Sequence, residues 1–526
     1  MIQRKTQTPE YWQEFRLTQD DMVFIHDLLL EAEHPLATQE LAVALVGERC
    51  RREEAELRAE LAQGKLYQPR NRYAVGDKLI FPALDFRLGQ VVSIRPGRNP
   101  EYGPFDVITV DFGPGQHQRS FAAGLEAPHK LNAEVTDLLG PYDVASPEKL
   151  LQTVASHVPE VLRAQLAQWD EVVSFEDRWM LRGMLADIHI GHLNIAEALI
   201  EMRGAPVDTG ALLKELDLPA EINPDILTFS IHAALARDDR FDQVGPDRTH
   251  RWFLRRLEPP EALEIPVALR YQPISYERDA LPVELLQLEW ELDDEWTEAM
   301  QGEVDTLRAT IPSVTLTLTY PHRVSGTLPL NHRARSFFPT GSGERTMVQL
   351  VDGRWGQQFL GWVVREGRYV AGLRSWFDQH KLPAGAYITL TRQEGSNAIV
   401  VDFRPRRMRR EWARWGQVVG SRLDIQLRKQ EVACEYDEQM IISTDQLNEI
   451  FQLRSAPPYA EMPLADLVYE LFVDLAGLSQ GGQVHAKTIY STVNVLRRCP
   501  PGPIFAVLAT DPRFQSVGQG FYRLAE

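Results

Sequence analysis

The feature that most constrains this chain is a stretch of sequence that occurs twice. The fifteen residues that begin at Ile231, IHAALARDDRFDQVG, are identical at nine positions to IFAVLATDPRFQSVG, which begins at Ile504. Each copy opens with apolar residues at helical spacing, continues as a short alternating segment, and reaches a glycine before a second alternating segment. The pattern predicts a helix followed by a small β-hairpin, present once in each of two modules.

Two further helices are predicted upstream of each copy. Before the first copy, a helix, a Gly/Pro break and a second helix capped near Asp208 or Thr209 are indicated by HLNIAEALIEMRGAPVDTGALLKEL. The same order precedes the second copy in PLADLVYELFVDLAGLSQGGQVHAKTIYSTVNVL. A weaker third version near the N-terminus is LTQDDMVFIHDLLLEAEHPLATQELAVALVG, followed by EEAELRAELAQGKLYQP. We therefore expect three modules of three helices, each closed by a hairpin or strand.

This order of helices and hairpin resembles the HARE-type winged helix, a family that includes the delta subunit of RNA polymerase. Related domains are fused to restriction and chromatin proteins, so the resemblance implies binding to DNA or to the transcription apparatus, without catalytic residues. A winged helix places its third helix in the major groove. Here that helix offers His232 and Arg237 in the first copy and almost no polar side chain in the second. Contact with DNA and docking on protein therefore remain equally open for these modules.

Charge is distributed unevenly along the chain. The net charge is -18, yet the segment from Ile311 to Gln430 holds 19 Lys and Arg residues against 8 Asp and Glu, a net charge of +11. The rest of the chain carries -29, and the segment from Asp279 to Leu307 holds ten carboxylates and no Lys or Arg. Such asymmetry predicts that one domain contacts a polyanion. The acidic segment is either a linker or a mimic of negative charge that shields the basic domain.

Within the basic segment, alternating strands and Gly/Pro turns extend from Ser313 to Phe403. The strand order and the helix in GLRSWFDQHKLPAGAYITL resemble the B-three-type DNA-binding pseudobarrel, in which two arms grip the major groove. The resemblance implies an early arm of His322, Arg323, Ser325, Asn331, Arg333 and Arg335, and a later arm of Arg365, Arg368, Tyr369 and Arg374. Arginine forks suit guanine edges or phosphates, and Asn331 suits adenine. The spacing departs from the plant pattern, and Ala386 stands where that family carries an acidic residue.

Five arginines follow the predicted pseudobarrel within seven residues, namely Arg404, Arg406, Arg407, Arg409 and Arg410. No acidic residue interrupts them, which favours phosphate contact over a merely solvated surface. Contacts of this kind add affinity and fix orientation without selecting a base sequence.

The fold class expected for the whole chain is multidomain α+β, combining winged-helix modules, a small SH3-like barrel and a β pseudobarrel. The expected divisions are 1–70 (winged-helix-like), 71–132 (SH3-like barrel), 133–258 (helical buttress and winged helix), 259–310 (acidic linker), 311–404 (pseudobarrel), 405–456 (basic segment and short strands) and 457–526 (winged helix).

No motif for catalysis or phosphate binding is found in the sequence, and the three cysteines lack metal-ligand spacing. We therefore expect no enzyme activity, no metal and no cofactor. The leading hypothesis is a cytoplasmic protein that binds double-stranded DNA and regulates transcription. Two alternatives remain: an adaptor bound to RNA polymerase, and the DNA-recognition subunit of a restriction or defence system that acts with a nuclease subunit.

Overall fold

The computed structural model describes residues 4–84, 86–113, 117–132, 144–219, 221–246, 249–297, 312–339, 341, 343–393 and 398–525. The chain forms two compact units, one of residues 1–188 and 219–233 and the other of residues 189–218 and 234–526. Helices and several separate sheets occur along the chain, so the expectation of a multidomain α+β protein is confirmed at that level. No helix of the described ranges is long and apolar enough to cross a membrane.

The helices and strands before residue 189 belong to the first unit. In chain order they are α1 (Pro9–Gln13), α2 (Gln19–Ala32), β1 (Leu36–Ala37), α3 (Thr38–Leu61), β2 (Lys65–Leu66), β3 (Lys78–Phe81), β4 (Arg87–Pro96), β5 (Asp106–Asp111), β6 (Arg119–Ala123), α4 (Pro147–Gln152), α5 (Val158–Leu166), β7 (Val172–Phe175) and β8 (Arg178–Leu181).

The remaining elements belong to the second unit, except for the first part of α8, which lies in the first. Up to residue 300 they are α6 (Ile190–Arg203), β9 (Val207–Asp208), α7 (Thr209–Glu215), α8 (Pro224–Arg237), β10 (Phe241–Gln243), β11 (Arg251–Leu254), α9 (Pro260–Leu263) and α10 (Val283–Leu292).

After residue 311 the second unit continues with a mostly β region and then a mostly helical one. The elements are β12 (Ser313–Thr317), α11 (Tyr320–Ser325), β13 (Thr327–Pro329), β14 (Arg345–Asp352), β15 (Gln358–Val364), β16 (Tyr369–Ala371), α12 (Arg374–Gln379), β17 (Tyr387–Arg392), β18 (Ile399–Phe403), β19 (Pro405–Val419), β20 (Arg422–Cys434), β21 (Ile442–Ser443), α13 (Leu447–Arg454), α14 (Leu464–Leu478), β22 (Val484–His485), α15 (Ala486–Leu496), α16 (Pro501–Thr510), β23 (Phe514–Gly518) and β24 (Phe521–Leu524).

One order of elements occurs three times: helix, two-residue strand, helix, helix, strand and strand. In each case the two-residue strand pairs with the last strand, giving the sheet orders β1-β8-β7, β10-β11-β9 and β22-β24-β23. The paired positions correspond as well, because Leu36 lies opposite Trp179, Val207 opposite Trp252, and Val484 opposite Tyr522. All six of these side chains are buried. The sequence repeat therefore marks a repeated arrangement of helices and strands.

The first of these modules extends well beyond residues 1–70, the limits expected from the sequence. Its third helix and hairpin are α5, β7 and β8, which lie after the small five-stranded sheet in the chain. Leu41 of α3, Leu162 of α5 and Trp179 of β8 share one buried cluster. Residues 150–181, expected to buttress the middle module, instead complete the N-terminal one. Residues 133–143 of the division expected at 133–258 lie outside the described ranges.

The five-stranded sheet that interrupts the first module has the order β2-β3-β4-β5-β6. Its core contains Tyr67, Leu79, Phe81, Val91 and Ile108. The alternation of apolar residues in the sequence produces this sheet, since every second side chain of β5 points to the buried face.

The basic region between Ser313 and Phe403 forms one seven-stranded sheet of order β12-β17-β18-β14-β15-β16-β13. The pairs are antiparallel except for β14 with β18, which are parallel. A buried cluster that includes Leu316, Leu350, Phe377 and Ile388 fills its interior. Two short helices interrupt the strands along the chain: α11 lies between β12 and β13, and α12 lies between β16 and β17.

The segment expected as an acidic linker, 259–310, is folded over its described part. Helix α10 buries Leu285 and Leu292 in the core of the C-terminal module. Its buried carboxylate, Glu289, is held by Arg278 at 2.7 Å. Apolar side chains at helical spacing among the carboxylates explain why this part is packed rather than solvated. Residues 298–310 of the expected linker lie outside the described ranges.

Candidate nucleic-acid interface

The arginine run forms the start of a long two-stranded hairpin rather than a basic segment with short strands. Strand β19 has fifteen residues and β20 thirteen, joined by Gly420 and Ser421. Gly420 has a φ of 64°, a left-handed conformation that favours glycine in a two-residue turn. The pairing is regular from Arg409 to the turn, with an irregularity between Pro405 and Arg409. The hairpin therefore supports Arg409 and Arg410 by regular pairing, and the other arginines of the run lie at or before its irregular end.

The two halves of the hairpin bury opposite faces. Near its base, Ala413 and Val432 join the core of the seven-stranded sheet. Near its turn, Leu423 and Ile425 join the core of the C-terminal module. Successive side chains of a strand point to opposite faces, so the residues that alternate with Ala413 and Val432 face solvent.

Large apolar side chains lie on this outward face among the cations. Met408 is 54% exposed, Trp412 60% and Leu427 42%. Trp412 lies directly across from Lys429, whose Nζ is 5.1 Å from the centre of the indole ring. An exposed ring stacked on an ammonium group offers a flat surface as well as positive charge.

The five arginines of the run have different environments. Arg407 and Arg409 are exposed, and neither guanidinium has a hydrogen bond or ion pair with any residue that the structure describes. Arg404 lies 3.4 Å from Glu435 and Arg410 lies 3.8 Å from Glu431, both as exposed pairs. Arg406 instead turns inward, where it lies 2.9 Å from Glu411 and over the ring of Tyr436.

We call the exposed set around the base of the hairpin the outer hairpin surface; it consists of Arg404, Arg407, Met408, Arg409, Arg410, Trp412 and Lys429. Arg410, Trp412 and Lys429 share the face that points away from Ala413, whereas Arg409 lies opposite buried Val432 and is exposed on the other face. Three of its five cations (Arg407, Arg409 and Lys429) lack acidic partners among the described residues, and the other two are held only in exposed pairs. Exposed ion pairs contribute about 0–1 kcal/mol, so a phosphate can replace Glu431 or Glu435 at little cost. The surface can thus bind a polyanion without rearrangement of the hairpin.

The residues expected in the early arm are mostly occupied inside the second unit. Arg323 donates to the carbonyl oxygen of Leu382 at 2.6 Å and to Asp378 at 2.9 Å. Arg333 donates to the carbonyl oxygen of Trp290 at 2.6 Å. Ser325 and Asn331 are buried, and Asn331 accepts a hydrogen bond from the backbone of Ala334. A base edge cannot reach the two buried side chains, which corrects the expectation that they face DNA.

Two further residues of the expected arms are structural. His322 is completely buried, with Nε2 3.2 Å from Glu295 and Nδ1 2.8 Å from the hydroxyl of Thr327. Tyr369 is buried and donates to the carbonyl oxygen of Glu261 at 2.8 Å.

The other arginines of the expected arms are exposed, but they contact residues outside the outer hairpin surface. Arg374 donates to the carboxylate of Glu261 at 3.2 and 3.3 Å. Arg335, Arg365 and Arg368 line one cavity of the second unit. The structure therefore divides the expected site residues between the hairpin, a cavity and the interior.

Three members of the outer hairpin surface were not anticipated, namely Met408, Trp412 and Lys429. The alternation in REWARWGQVV signals a strand, and the glycine before RLDIQLRK signals a turn. The two patterns together indicate a hairpin in which Trp412 lies opposite Lys429. The sequence prediction missed these residues because it did not pair the two strands.

The second helix of the C-terminal module, α15, is unavailable for groove contact. Every residue of α15 except Lys487 is buried. The first turn of α16 is buried as well, and its Gly502 lies against Tyr276. This module contributes its helices to the core of the second unit.

Comparisons with known proteins identify no relatives: no family model, no curated protein and no solved structure matches the chain.

Proposed function

We propose that this protein is a non-enzymatic DNA-binding protein that acts in transcriptional regulation and contacts duplex DNA through the outer hairpin surface. The observation that carries the proposal is the exposure of Arg407 and Arg409 without partners among the described residues, on the most cationic segment of a chain with a net charge of -18. Cations held free on a β-strand lose little entropy when a phosphate binds.

The hairpin suits the sugar-phosphate backbone better than base edges. Arg407, Arg409 and Arg410 lie on β19 and Arg404 directly precedes it, so four guanidiniums follow one short segment of extended backbone, as phosphates follow a DNA strand. Because phosphate contacts carry no sequence information, this surface supplies affinity and orientation.

The acidic remainder of the chain supports a directional mode of binding. With -29 outside the segment 311–430, most other surfaces repel a polyanion, so encounter is steered towards the basic segment. The same charge distribution reduces non-specific binding in other orientations.

The proposal also includes the fold class of each module. We assign the three repeated modules to the winged-helix class because each has the order helix, strand, helix, helix, strand, strand, with the first strand beside the last. The seven-stranded sheet with α11 and α12 supports a pseudobarrel, and the five-stranded sheet supports an SH3-like barrel. These are the modules that the resemblance to HARE-type and B-three-type proteins implies.

Removal of the free arginines tests the interface. The variant Arg407→Ala/Arg409→Ala should bind a random-sequence duplex more weakly, and the slope of log affinity against log salt should fall by about 0.9 per lost phosphate contact, or about 1.8 in total. Fluorescence anisotropy between about 50 and 200 mM salt measures both quantities.

A matched pair of arginines serves as the control. Arg95 and Arg98 are also exposed and have no ion pair with any residue that the structure describes, so Arg95→Ala/Arg98→Ala removes the same charge while leaving the outer hairpin surface intact. Its slope should remain that of the unmodified chain. Equal slopes for the two double variants would exclude the hairpin as the interface, and retention of a protein partner after nuclease treatment would then favour an adaptor.

A further inference from the structure

A cavity of about 910 Å³ lies in the second unit beside α10 and the seven-stranded sheet. Its lining includes Tyr271 and Trp296, three arginines and His332. Ligand sites of this kind measure about 300–1,000 Å³, so the space is sufficient for a nucleotide.

The three carboxylates in the lining are held by cations, Glu289 by Arg278 and both Asp294 and Glu295 by the buried Arg498. Asp294 lies 2.6 Å from Arg498 and Glu295 lies 2.7 Å from the same guanidinium. Glu295 is also 3.2 Å from His322. Burial alone would raise the pKa of Glu295, but Arg498 and His322 hold that pKa far below its usual value. These acids therefore do not repel an anion at the cavity as free carboxylates would.

Arg335 and Arg368 retain positive charge beside the cavity. Arg335 is exposed, and its guanidinium has no hydrogen bond or ion pair with any part of the chain that the structure describes. Arg368 donates to the carbonyl oxygen of Glu295 at 3.0 Å, and Arg365 donates to that of Pro339. A hydrogen bond to a carbonyl leaves the charge of a guanidinium in place. The pKa of His332 is lowered by burial and by the nearby Arg335 and Arg333.

Two aromatic rings, tilted by 49° to each other, lie beside these cations. The rings of Tyr271 and Trp296 have centroids 5.4 Å apart, and the guanidinium of Arg368 lies 4.3 Å from the centre of the Trp296 ring. Trp296 Nε1 and Thr297 Oγ1 have no hydrogen-bond partner among the described residues. Unpaired buried polar groups cost about 1–3 kcal/mol, so a ligand that offers them partners gains affinity.

From the juxtaposition of a free arginine, two further arginines and two aromatic rings, we propose that this cavity binds a nucleotide. Arg335, Arg365 and Arg368 hold the phosphate, and the base stacks against Tyr271 and Trp296. The nucleotide is either a free molecule or one unit of a nucleic-acid strand, since both present a phosphate beside a planar base. The site is separate from the outer hairpin surface and uses none of its residues.

Calorimetric titration of the full chain tests the proposal with the four common nucleoside 5′-monophosphates as probes. Adenosine and inorganic phosphate are the matched partial ligands, because adenosine carries the base without the phosphate and inorganic phosphate carries no base. At least one monophosphate should bind about tenfold or more tightly than either partial ligand, because the two halves act together. Equal affinity of inorganic phosphate and all four monophosphates would overturn the proposal.

Two variants separate the roles within the cavity. Arg335→Ala should weaken binding of the monophosphate and of phosphate about tenfold, as expected for loss of a charge-assisted hydrogen bond. Tyr271→Ala should reduce the affinity of the monophosphate towards that of phosphate while leaving phosphate binding unchanged. Both residues are at least partly exposed, and circular dichroism verifies that each variant folds. An unchanged affinity in Arg335→Ala would overturn the proposal.

The source of the nucleotide and the independence of the two sites are tested in the same experiment. A single-stranded oligonucleotide is then added to the complex with bound monophosphate. If the oligonucleotide displaces the bound monophosphate at a lower concentration than free monophosphate does, the natural ligand is a strand. If the monophosphate stays bound, the natural ligand is a free nucleotide. Arg407→Ala/Arg409→Ala should leave monophosphate affinity unchanged, so failure of the hairpin interface and failure of the cavity are distinguishable. A monophosphate affinity that falls with that hairpin variant and not with Arg335→Ala would overturn the cavity assignment.

Discussion

At Gly502 the backbone of α16 passes so close to Tyr276 that a side chain has no space. A Cβ at this position would lie 2.2 Å from Tyr276 Oη and 2.9 Å from Glu289 Oε1. Gly477 in α14 is the opposite case, because nothing lies within 4 Å of its added Cβ. Gly502 is therefore required by close packing, whereas the packing around Gly477 leaves space for a side chain.

We expect Gly502→Ala to destabilise the second unit by about 1–3 kcal/mol, the usual cost of overpacking. Gly477→Ala should instead stabilise it by about 0.5–1 kcal/mol, since alanine is the better helix former. Urea unfolding followed by circular dichroism measures both changes. A Gly502→Ala variant as stable as Gly477→Ala would contradict the close approach of α16 to Tyr276.

Arginines also differ residue by residue in a way that the sequence does not reveal. Arg406 and Arg407 are neighbours, yet the first contacts Glu411 and the ring of Tyr436 while the second is exposed. The sequence, with five arginines and no acid among them, predicts phosphate contact for every member of the run. The pleat of β19 and its irregularity near Arg409 decide which guanidiniums face outward.

At the scale of elements, the duplicated sequence keeps an arginine and a phenylalanine for structural reasons. Arg240 pairs with Asp238 and with Glu197 of α6, and Arg513 pairs with Asp511 and with Asp466 of α14. The following phenylalanine is buried in both copies. The arginine therefore fastens the start of the hairpin to the first helix of its module.

Removal of this link should loosen the hairpin of the C-terminal module. Arg513→Ala is expected to cost about 0.5–1 kcal/mol, as for other partly exposed ion pairs. Backbone amides of β23 and β24 should then exchange hydrogen about two- to fivefold faster. Arg237→Ala, which removes an exposed arginine of α8 outside this module, is the control and should leave exchange unchanged. Equal exchange in both variants would show that the repeated arginine has no structural role.

At the scale of the whole molecule, buried ionic contacts join modules within the second unit. Arg345 of β14 lies 2.5 Å from Asp242 of β10 and 2.9 Å from Glu258. Burial and the adjacent Asp242 carboxylate raise the pKa of Glu258 to about 8. Burial alone would also raise the pKa of Asp242, but hydrogen bonds from Arg255 and Arg345 hold it below the ordinary value. Near neutral pH the folded cluster therefore retains a proton on Glu258.

This retained proton predicts a pH dependence of stability. The ordinary pKa of a glutamate is 4.5, so the unfolded chain releases the proton near that pH while the folded chain holds it up to about pH 8. Stability should therefore decrease as pH rises from about 4.5 to about 8, by up to about 1.4 kcal/mol per pH unit.

Glu258→Gln should remove this decline, because the amide does not titrate. Urea unfolding at a series of pH values between 5 and 8 measures the slope. Glu264→Gln, a substitution at an exposed glutamate nearby, should retain the slope of the unmodified chain. A decline that persists in Glu258→Gln would assign the pH dependence to other groups.

Local patterns in the sequence were sufficient to predict the middle and C-terminal modules, the strands of the basic region and the position of the positive charge. The third helix expected for the N-terminal module at EEAELRAELAQGKLYQP is wrong, because EEAELRAEL continues α3. Helical and strand periodicity act over a few residues and are visible in IHAALARDDRFDQVG or VTLTLTY alone. They could not show that a five-stranded sheet interrupts the first module, since that depends on contacts such as Leu41 with the cluster around Trp179.

The sequence by itself determined the repeated helix and hairpin, the alternation of the basic region and where arginines accumulate, because these properties are set by neighbouring residues. Only the tertiary structure decided which of those arginines are exposed, which line a cavity with Tyr271 and Trp296, and which are bound internally. Strand pairing and burial bring together residues far apart in the chain, as Trp412 with Lys429 and Glu295 with Arg498. The free energy that selects these pairs comes from packing of the whole unit, and no single segment encodes it.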